Sequence, residues 1–433
     1  RQEACLDRFT GFIGLAVILF ACYLLSRSRK HIRWSTIVWG VILQFALGWV
    51  VISWQAGANA LKSFSDGITG AIAFSDEGAK FVFGWLADPS IAGQIGQKTG
   101  VDFSPFLFAF KVMPIVIFIA SFFTILYYLG VMQRIVQVFA IVMTKLLRIS
   151  GAESLAVSAN IFIGQTEAPI IVAPYIPKMT NSELLTMMTG GMAHISGAVL
   201  LAYAAMGIPA TYLITASVMA APATIVIAKL LRPETETPET SGAVHVKIKH
   251  EQANVIEAAA AGASQGVSLA INIVGMLIAF IALVSLFNGL LGMLGPSLGF
   301  AKPGPGVDPA TTLSLQWLFS KALWPLAWVM GVPAADCSKV ARLIGFKTVI
   351  NEFVAYAEMS RIPMEQWTEK GRLIASFALC GFANFSSIGI QIGGIGGLAP
   401  SRKSDIARLG LWALLGGSLA TFMSATIAGI LLG

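Results

Sequence analysis

Charge is scarce in this chain. Charged side chains make up 12% of its 433 residues and hydrophobic ones 56%, whereas soluble domains carry about 25% charged residues. With a mean hydropathy of +0.76, that deficit excludes an ordinary soluble globule and points to many membrane-crossing helices. Cysteine is scarce too. Cys5, Cys22, Cys337 and Cys380 are scattered, which excludes a disulfide framework and a thiolate metal site. No zinc spacing, Ser/His/Asp arrangement or phosphate-cradling glycine loop stands out, so nothing in the chain suggests an enzyme. The net charge of +7 is spread over loops. No basic stripe with interleaved aromatics invites nucleic acid, and the charge reads as a topology signal.

What is there is a series of apolar runs of about 20 residues, the length that crosses a bilayer. They fall at 11–26, 34–54, 105–129, 183–206, 209–231, 264–294, 371–398 and 406–432. The first lacks a small-residue cleavage site and reads as a retained span. Residues 57–100 are too polar to span and read as interfacial. A polar tract opens the 233–262 loop, where His245 and His250 read as solvated. Lys and Arg assign the sides. Arg27, Arg29, Lys30 and Arg33, then Arg134, Lys145 and Arg148, then Lys229, Arg232, Lys247 and Lys249, then Arg402, Lys403 and Arg408 fall on the cytoplasmic side if both termini are periplasmic. Lys339, Arg342, Lys347 and Arg361 fall on the outer side in that arrangement.

Two apolar segments do not read as ordinary spans. Segment 150–177 folds about Gly164-Gln-Thr-Glu167, and segment 333–360 about Asn351-Glu352. Arms of about 10–15 residues reach the middle of a roughly 30 Å core and return. Both are expected to be re-entrant helical hairpins rather than kinked spans. A repeat then emerges: span, amphipathic stretch (131–149 or 312–330), hairpin, broken span, final span. The breaks are expected near His194–Gly197 and Asn384–Ser387. The fold class expected is an all-α polytopic membrane protein with eight transmembrane helices and two re-entrant hairpins in an inverted repeat. Such repeats, with discontinuous helices meeting near the midplane, build many secondary transporters. The expected divisions are 1–100 (N-terminal spans and interfacial segment, a scaffold), 101–232 (first repeat), 233–262 (cytoplasmic loop) and 263–433 (second repeat).

Polar islands at such depth usually line a cavity or path, because an acid at a helix centre costs roughly 2.5–3.5 kcal/mol on insertion scales. At the first tip, Gly164 allows the turn, Thr166 is placed as an N-cap and Pro169 suits the returning arm. Gln165, Thr166 and Glu167 then present an amide, a hydroxyl and an acid, a set matched to a heteroaromatic base; mutual capping is the alternative. At the second tip, Glu352 suits two adjacent hydroxyls, as on a sugar, and Asn351 suits a cap. An ion pair of Glu352 with Lys347 or Arg361 is the alternative. Asn384, Ser386 and Ser387 lie beside Phe382 and Phe385, a flat wall with polar readers for a compact amphipathic ligand, or else a helix contact. A Na⁺ site is plausible at the carbonyls of Ile163 and Ile195 with Asn160 nearby. His194 is either a buried histidine bonded to a carbonyl or a group bordering a cation or proton path.

The chain resembles the concentrative nucleoside transporter family, close to its bacterial members. The likeness rests on Glu77-Gly-x-x-Phe-Val-Phe-Gly84, Gly164-Gln-Thr-Glu-Ala-Pro169, Met188-Thr-Gly-Gly-Met-Ala193, Trp328-Val-Met-Gly-Val-Pro333, Asn351-Glu-Phe-Val-Ala-Tyr356 and Gly381-Phe-Ala-Asn-Phe-Ser-Ser-Ile-Gly389. It implies a homotrimer in the bacterial inner membrane that imports nucleosides such as uridine with Na⁺ by an elevator-like movement. By motif position it implies Gln165, Thr166 and Glu167 on the base, with Val199 packing against it. Glu352, Asn384 and Ser387 would hold the ribose, with Phe382 alongside. The sodium site would fall on Asn160, Ile163, His194 (through its backbone) and Ile195. His194 departs from the hydroxyl residue many members carry there, and imidazole is a poor ligand for a hard alkali cation, so proton coupling is the alternative. A dicarboxylate or amino-acid symporter would place Arg or Lys at an island, and none of the three has one. A channel or an intramembrane enzyme is the non-carrier reading.

Overall fold

The computed structural model describes residues 2–88, 91, 108–241, 252–304, 307 and 311–432. His245, His250, Lys247, Lys249 and the boundary at 100–101 lie outside the described residues. All regular structure among those described is helical. Three helices precede the repeat: α1 (Gln2–Leu24), α2 (Trp34–Gly48, prolonged by a π turn over Trp49–Ser53) and α3 (Gln55–Phe83). The last is one amphipathic helix over most of the stretch expected to be interfacial.

The first unit then runs α4 (Phe108–Tyr128), α5 (Val131–Leu147), α6 (Gly151–Asn160), α7 (Ala168–Ile171), α8 (Asn181–Ala193), α9 (Gly197–Ala205) and α10 (Ala210–Leu231). The second runs α11 (Val255–Leu294), α12 (Leu315–Ala322), α13 (Trp324–Val329), α14 (Ala334–Val349), α15 (Glu352–Ser360), α16 (Glu369–Leu379), α17 (Phe385–Leu398) and α18 (Lys403–Leu432). The same order of elements thus occurs twice, as the all-α polytopic reading requires. Among the described residues six segments are long and apolar enough to cross a membrane, and the shorter apolar pieces Phe9–Leu24 and Phe385–Leu398 fall at the two remaining expected spans.

Several boundaries differ from expectation, each for a local reason. Helix α11 starts at Val255, inside the stretch expected to be loop, because Asn254 caps it by accepting the Glu257 N–H at 2.9 Å. The second amphipathic stretch is two helices, since Pro325 begins a new one after Leu323. The break in the second unit lies at 380–384, with Asn384 as the N-cap of α17 and Ser386 and Ser387 already in its first turn. Thr166 is no cap: Glu167 occupies that position before α7 and makes no side-chain capping bond. The returning arm of the first hairpin is a short helix, then turns and a 3-10 turn over Ile176–Lys178, so its α-helix is shorter than expected.

Capping fixes where the hairpin arms enter. Ser150 with Glu153, and Thr180 with Glu183, form complete capping boxes at the starts of α6 and α8. The boxes are joined, because Ser150 Oγ donates to Glu183 Oε1 at 2.5 Å and Lys229 Nζ lies 2.7 Å from Glu153 Oε2. Basic loops gather at this end: Arg27 N–H donates to Leu231 O at 3.0 Å, and Arg402 donates to Met179 O at 2.5 Å.

Burial divides the helices into two kinds. In α8–α9 and α10, 89% of the apolar stretch is buried within the chain, against 22% in α4 and 17% in α11. Helices α4 and α11 pack closely on each other, since a Cβ at Gly262 or Gly266 would meet the backbone of 117–121. Beyond the contacts that α4 makes with α9, both helices keep long apolar stretches that their own chain does not cover.

Candidate functional site

Two chain breaks cross at the centre of the buried helices. Helix α8 ends at Ala193, and the extended backbone of His194 (φ −115°, ψ 164°) carries the chain to Ser196 before α9 resumes. Opposite it, 380–384 interrupts α16–α17. The Phe382 N–H donates to His194 O at 3.2 Å, tying one break to the other. Gly381 permits this approach, because a Cβ there would lie 2.8 Å from Met192 O and 2.9 Å from Ala193 O. The first hairpin tip docks onto the same point: the Gly197 N–H donates to Phe162 O at 2.9 Å and Ser217 Oγ to Ile161 O at 2.9 Å.

A cavity of about 170 Å³ opens beside this crossing, and all eight residues expected to hold a solute line it. Gln165, Thr166 and Glu167 come from the first tip, Val199 from α9, Glu352 from the second tip, and Phe382, Asn384 and Ser387 from the second break and α17. Gln165, Val199, Glu352, Asn384 and Ser387 are buried, Thr166 and Phe382 are half-buried, and Glu167 is exposed.

The second tip is organised by carboxamides. Asn351 accepts the Val354 N–H at 2.9 Å and so starts α15. Asn384 Oδ1 accepts the Ser387 N–H at 2.9 Å and Ser386 Oγ at 2.7 Å, which starts α17 and turns the amide Nδ2 outward. That Nδ2 donates to Glu352 Oε2 at 3.0 Å, while Tyr203 Oη donates to Glu352 Oε1 at 3.0 Å. The carboxylate is therefore presented by two donors and not by a salt bridge. The pair weighed for it from sequence is not formed. Arg361 pairs with Glu358 at 2.7 Å, and Lys347, fully buried rather than an outer loop charge, donates to Ala378 O at 2.7 Å.

Across the cavity, Gln165 Nε2 donates to Ser387 Oγ at 3.1 Å, and Gln391 Nε2 donates to Gln165 Oε1 at 3.3 Å and Met188 O at 2.9 Å. Tyr203 and Gln391 went unrecognised in the sequence. Each lies inside a helix with no polar neighbour in sequence to flag it, and only the fold brings it to the site. Leu269, Ile273 and Met276 of α11 complete the apolar wall; their helical spacing looks the same as a lipid-facing stripe.

The expected ion ligands belong to the first hairpin and the first break. Asn160, His194 and Ile195 are buried and Ile163 half-buried. Asn160 Nδ2 donates to Ala156 O at 2.9 Å, and its Oδ1 has no hydrogen-bond partner among the described residues. A buried amide oxygen without a donor is a fit for a hard cation. The His194 ring is turned to Gly190, with Nδ1 2.8 Å from its carbonyl. Among the described residues no group of three or more His, Cys, Asp or Glu could hold a metal ion.

Comparison with known proteins places the chain in a family. Residues 13–86 match the model of the Na⁺-dependent nucleoside transporter N-terminus, 109–210 that of nucleoside recognition, and 212–429 that of the Na⁺-dependent nucleoside transporter C-terminus. An uncharacterized transporter of Haemophilus influenzae is 43% identical over 98% of each chain. Rat sodium/nucleoside cotransporter 2 is 39% identical over 98% of this chain and 62% of its own length. Among solved structures, CNTnw in an inward-facing substrate-bound state superposes with a TM-score of 0.88 at 40% identity, covering 98% of this chain and 99% of that one. An outward-facing CNTnw variant superposes at 0.91 with 39% identity over 99% of both. The geometry and these likenesses agree that the chain is a membrane transporter, not an enzyme, and that it belongs to the family of Na⁺-dependent, concentrative nucleoside transporters.

Proposed function

We propose that the chain imports nucleosides such as uridine across the bacterial inner membrane, coupled to Na⁺, with both termini periplasmic. The observation that carries this reading is the single cavity in which an amide–hydroxyl–acid tip faces a carboxylate held by two donors. Gln165, Thr166 and Glu167 read the donor and acceptor edge of the base, with Val199 against its face. Glu352, Asn384 and Ser387 take the ribose hydroxyls, with Phe382 alongside. A guest edge can replace the Gln165–Ser387 bond without leaving either group unpaired, which is what selective binding requires.

Na⁺ sits at Asn160, Ile163, His194 (through its carbonyl) and Ile195. There it fixes the first tip against the broken α8–α9 and so orders the base-reading residues. The empty site leaves polar groups bare, so crossing is favoured only when guest and ion are both in place. The exposed faces of α4 and α11 suit a homotrimeric frame past which the buried helices move in an elevator-like manner.

Titration calorimetry on the purified protein tests the ribose assignment. Uridine is expected to bind more tightly with Na⁺ than with choline, and removal of both ribose ring hydroxyls should weaken binding. In Glu352→Gln, that removal should matter far less. An equal loss in both proteins would contradict the role given to Glu352.

A further inference from the structure

The two units resemble each other in more than the order of their helices. In the first, Asn160 ends the ingoing hairpin arm and lies against the last turn of α8: a Cβ at Gly190 would sit 3.3 Å from Asn160 Nδ2 and 3.7 Å from Thr224 Cγ2 of α10. Asn160 Oδ1 and Thr224 Oγ1 are both buried without a hydrogen-bond partner among the described residues. In the second, Lys347 lies in the last turn of the ingoing arm α14 and reaches the last turn of α16, donating to Ala378 O at 2.7 Å. It also donates to Thr421 Oγ1 of α18 at 3.0 Å. Each unit thus brings together the end of an arm, the end of the first half of a broken helix, and a threonine of the final helix. One such junction holds oxygens with no donor; the other holds an ammonium.

The surroundings of Lys347 suit a cation and, among the described residues, supply no carboxylate in contact with it. Its side chain has no exposed surface. Ala378 O belongs to the C-terminal turn of a half-helix, the negative end of its dipole. Thr421 Oγ1 donates to Ser418 O at 2.9 Å, which leaves its lone pairs for the ammonium. The Phe422 ring centroid is 5.7 Å from Nζ, within reach of a cation–π contact. A carbonyl at an interrupted helix plus a hydroxyl is the kind of donor set that holds Na⁺ in transporters of this build.

We infer that Lys347 is a tethered cation: its ammonium fills, in the second unit, the place that the coupling ion takes in the first. This half therefore needs no ion of its own, and one coupling cation accompanies each nucleoside. The inference deepens the proposed function and rests on it for the meaning of the first site, but not for the existence of the second.

The test removes the tether. Lys347→Ala empties a junction lined by Ala378 O and Thr421 Oγ1, whereas Lys347→Met keeps it filled without charge. Equilibrium binding of radioactive Na⁺ to purified protein should find one more ion per protomer in Lys347→Ala than in wild type, and no gain in Lys347→Met. Thermal stability of Lys347→Ala should rise with NaCl more than with choline chloride, beyond any such difference in wild type. Equal Na⁺ stoichiometry in wild type and Lys347→Ala would overturn the inference, even if nucleoside transport itself were absent. Should Lys347→Ala not fold, the charge moved per nucleoside by wild-type proteoliposomes decides: one supports the tether, two contradicts it. Failure of wild type to carry nucleosides would instead count against the proposed function.

Discussion

At the residue scale, Glu352 concentrates the account. Its two oxygens each receive one donor, Tyr203 Oη and Asn384 Nδ2. Replacing it with Gln puts an amide N–H₂ against one of those donors and removes a charged acceptor. Hydrogen bonds to charged groups contribute about 1.5–3 kcal/mol, so Glu352→Gln is expected to lose about ten- to a hundredfold in uridine affinity. Tyr203→Phe removes only one donor to that charged group and leaves the Asn384 bond intact, so it should cost about 1.5 kcal/mol, the low end of the range. Calorimetric titration of both variants would show the larger loss in Glu352→Gln; the reverse order would contradict the assignment. Asn160→Ala removes an oxygen with no hydrogen-bond partner among the described residues, so its fold should persist while the Na⁺ concentration for half-maximal uridine uptake rises. An unchanged Na⁺ requirement would place the ion elsewhere.

At the scale of elements, the crossing of the two breaks is tightly constrained. Gly381 sits against the Met192 and Ala193 carbonyls, which are backbone and cannot swing aside. Overpacking of this kind costs typically 1–3 kcal/mol. Gly381→Ala should therefore lower thermal stability and loosen the Phe382–His194 bond. Neighbouring Gly389, which has open space at its Cβ position, should accept Ala with little change. Melting curves that rank the two the other way would refute the crossing.

These elements also show what the sequence made legible. The hairpins could be read because Gly164, Pro169 and Asn351-Glu352 interrupt apolar runs too short to span twice, and broken helices need such polar relief. The start of α11 was misplaced because hydropathy, not the Asn254 cap, set the boundary. Nearness in sequence offers Glu352 the ionic partners Lys347 and Arg361. The fold instead turns α14 so that Lys347 enters the core. Tyr203 and Gln391 reach the site by contacts 149 and 226 residues away in sequence, which no local pattern encodes.

At the scale of the whole molecule, two regions differ in what they bury. Helices α8–α10 and α18 are covered by their own chain, whereas α4 and α11 present long apolar faces. Helix α11 alone, at 40 residues, spans about 60 Å at 1.5 Å per residue, twice the bilayer core. A helix of that reach, with its long apolar face, suits the proposed three copies joined along it. Native mass spectrometry in detergent should find three copies, and a monomer with full uptake would remove the frame from the mechanism. The central claim is that the buried tips grip a nucleoside and a cation together. Radiolabelled uridine uptake by proteoliposomes, with Na⁺ and pH gradients imposed separately, tests it most directly. The account predicts accumulation above the outside concentration under an inward Na⁺ gradient at equal pH. Mere equilibration, or accumulation driven by the pH gradient alone, would contradict it.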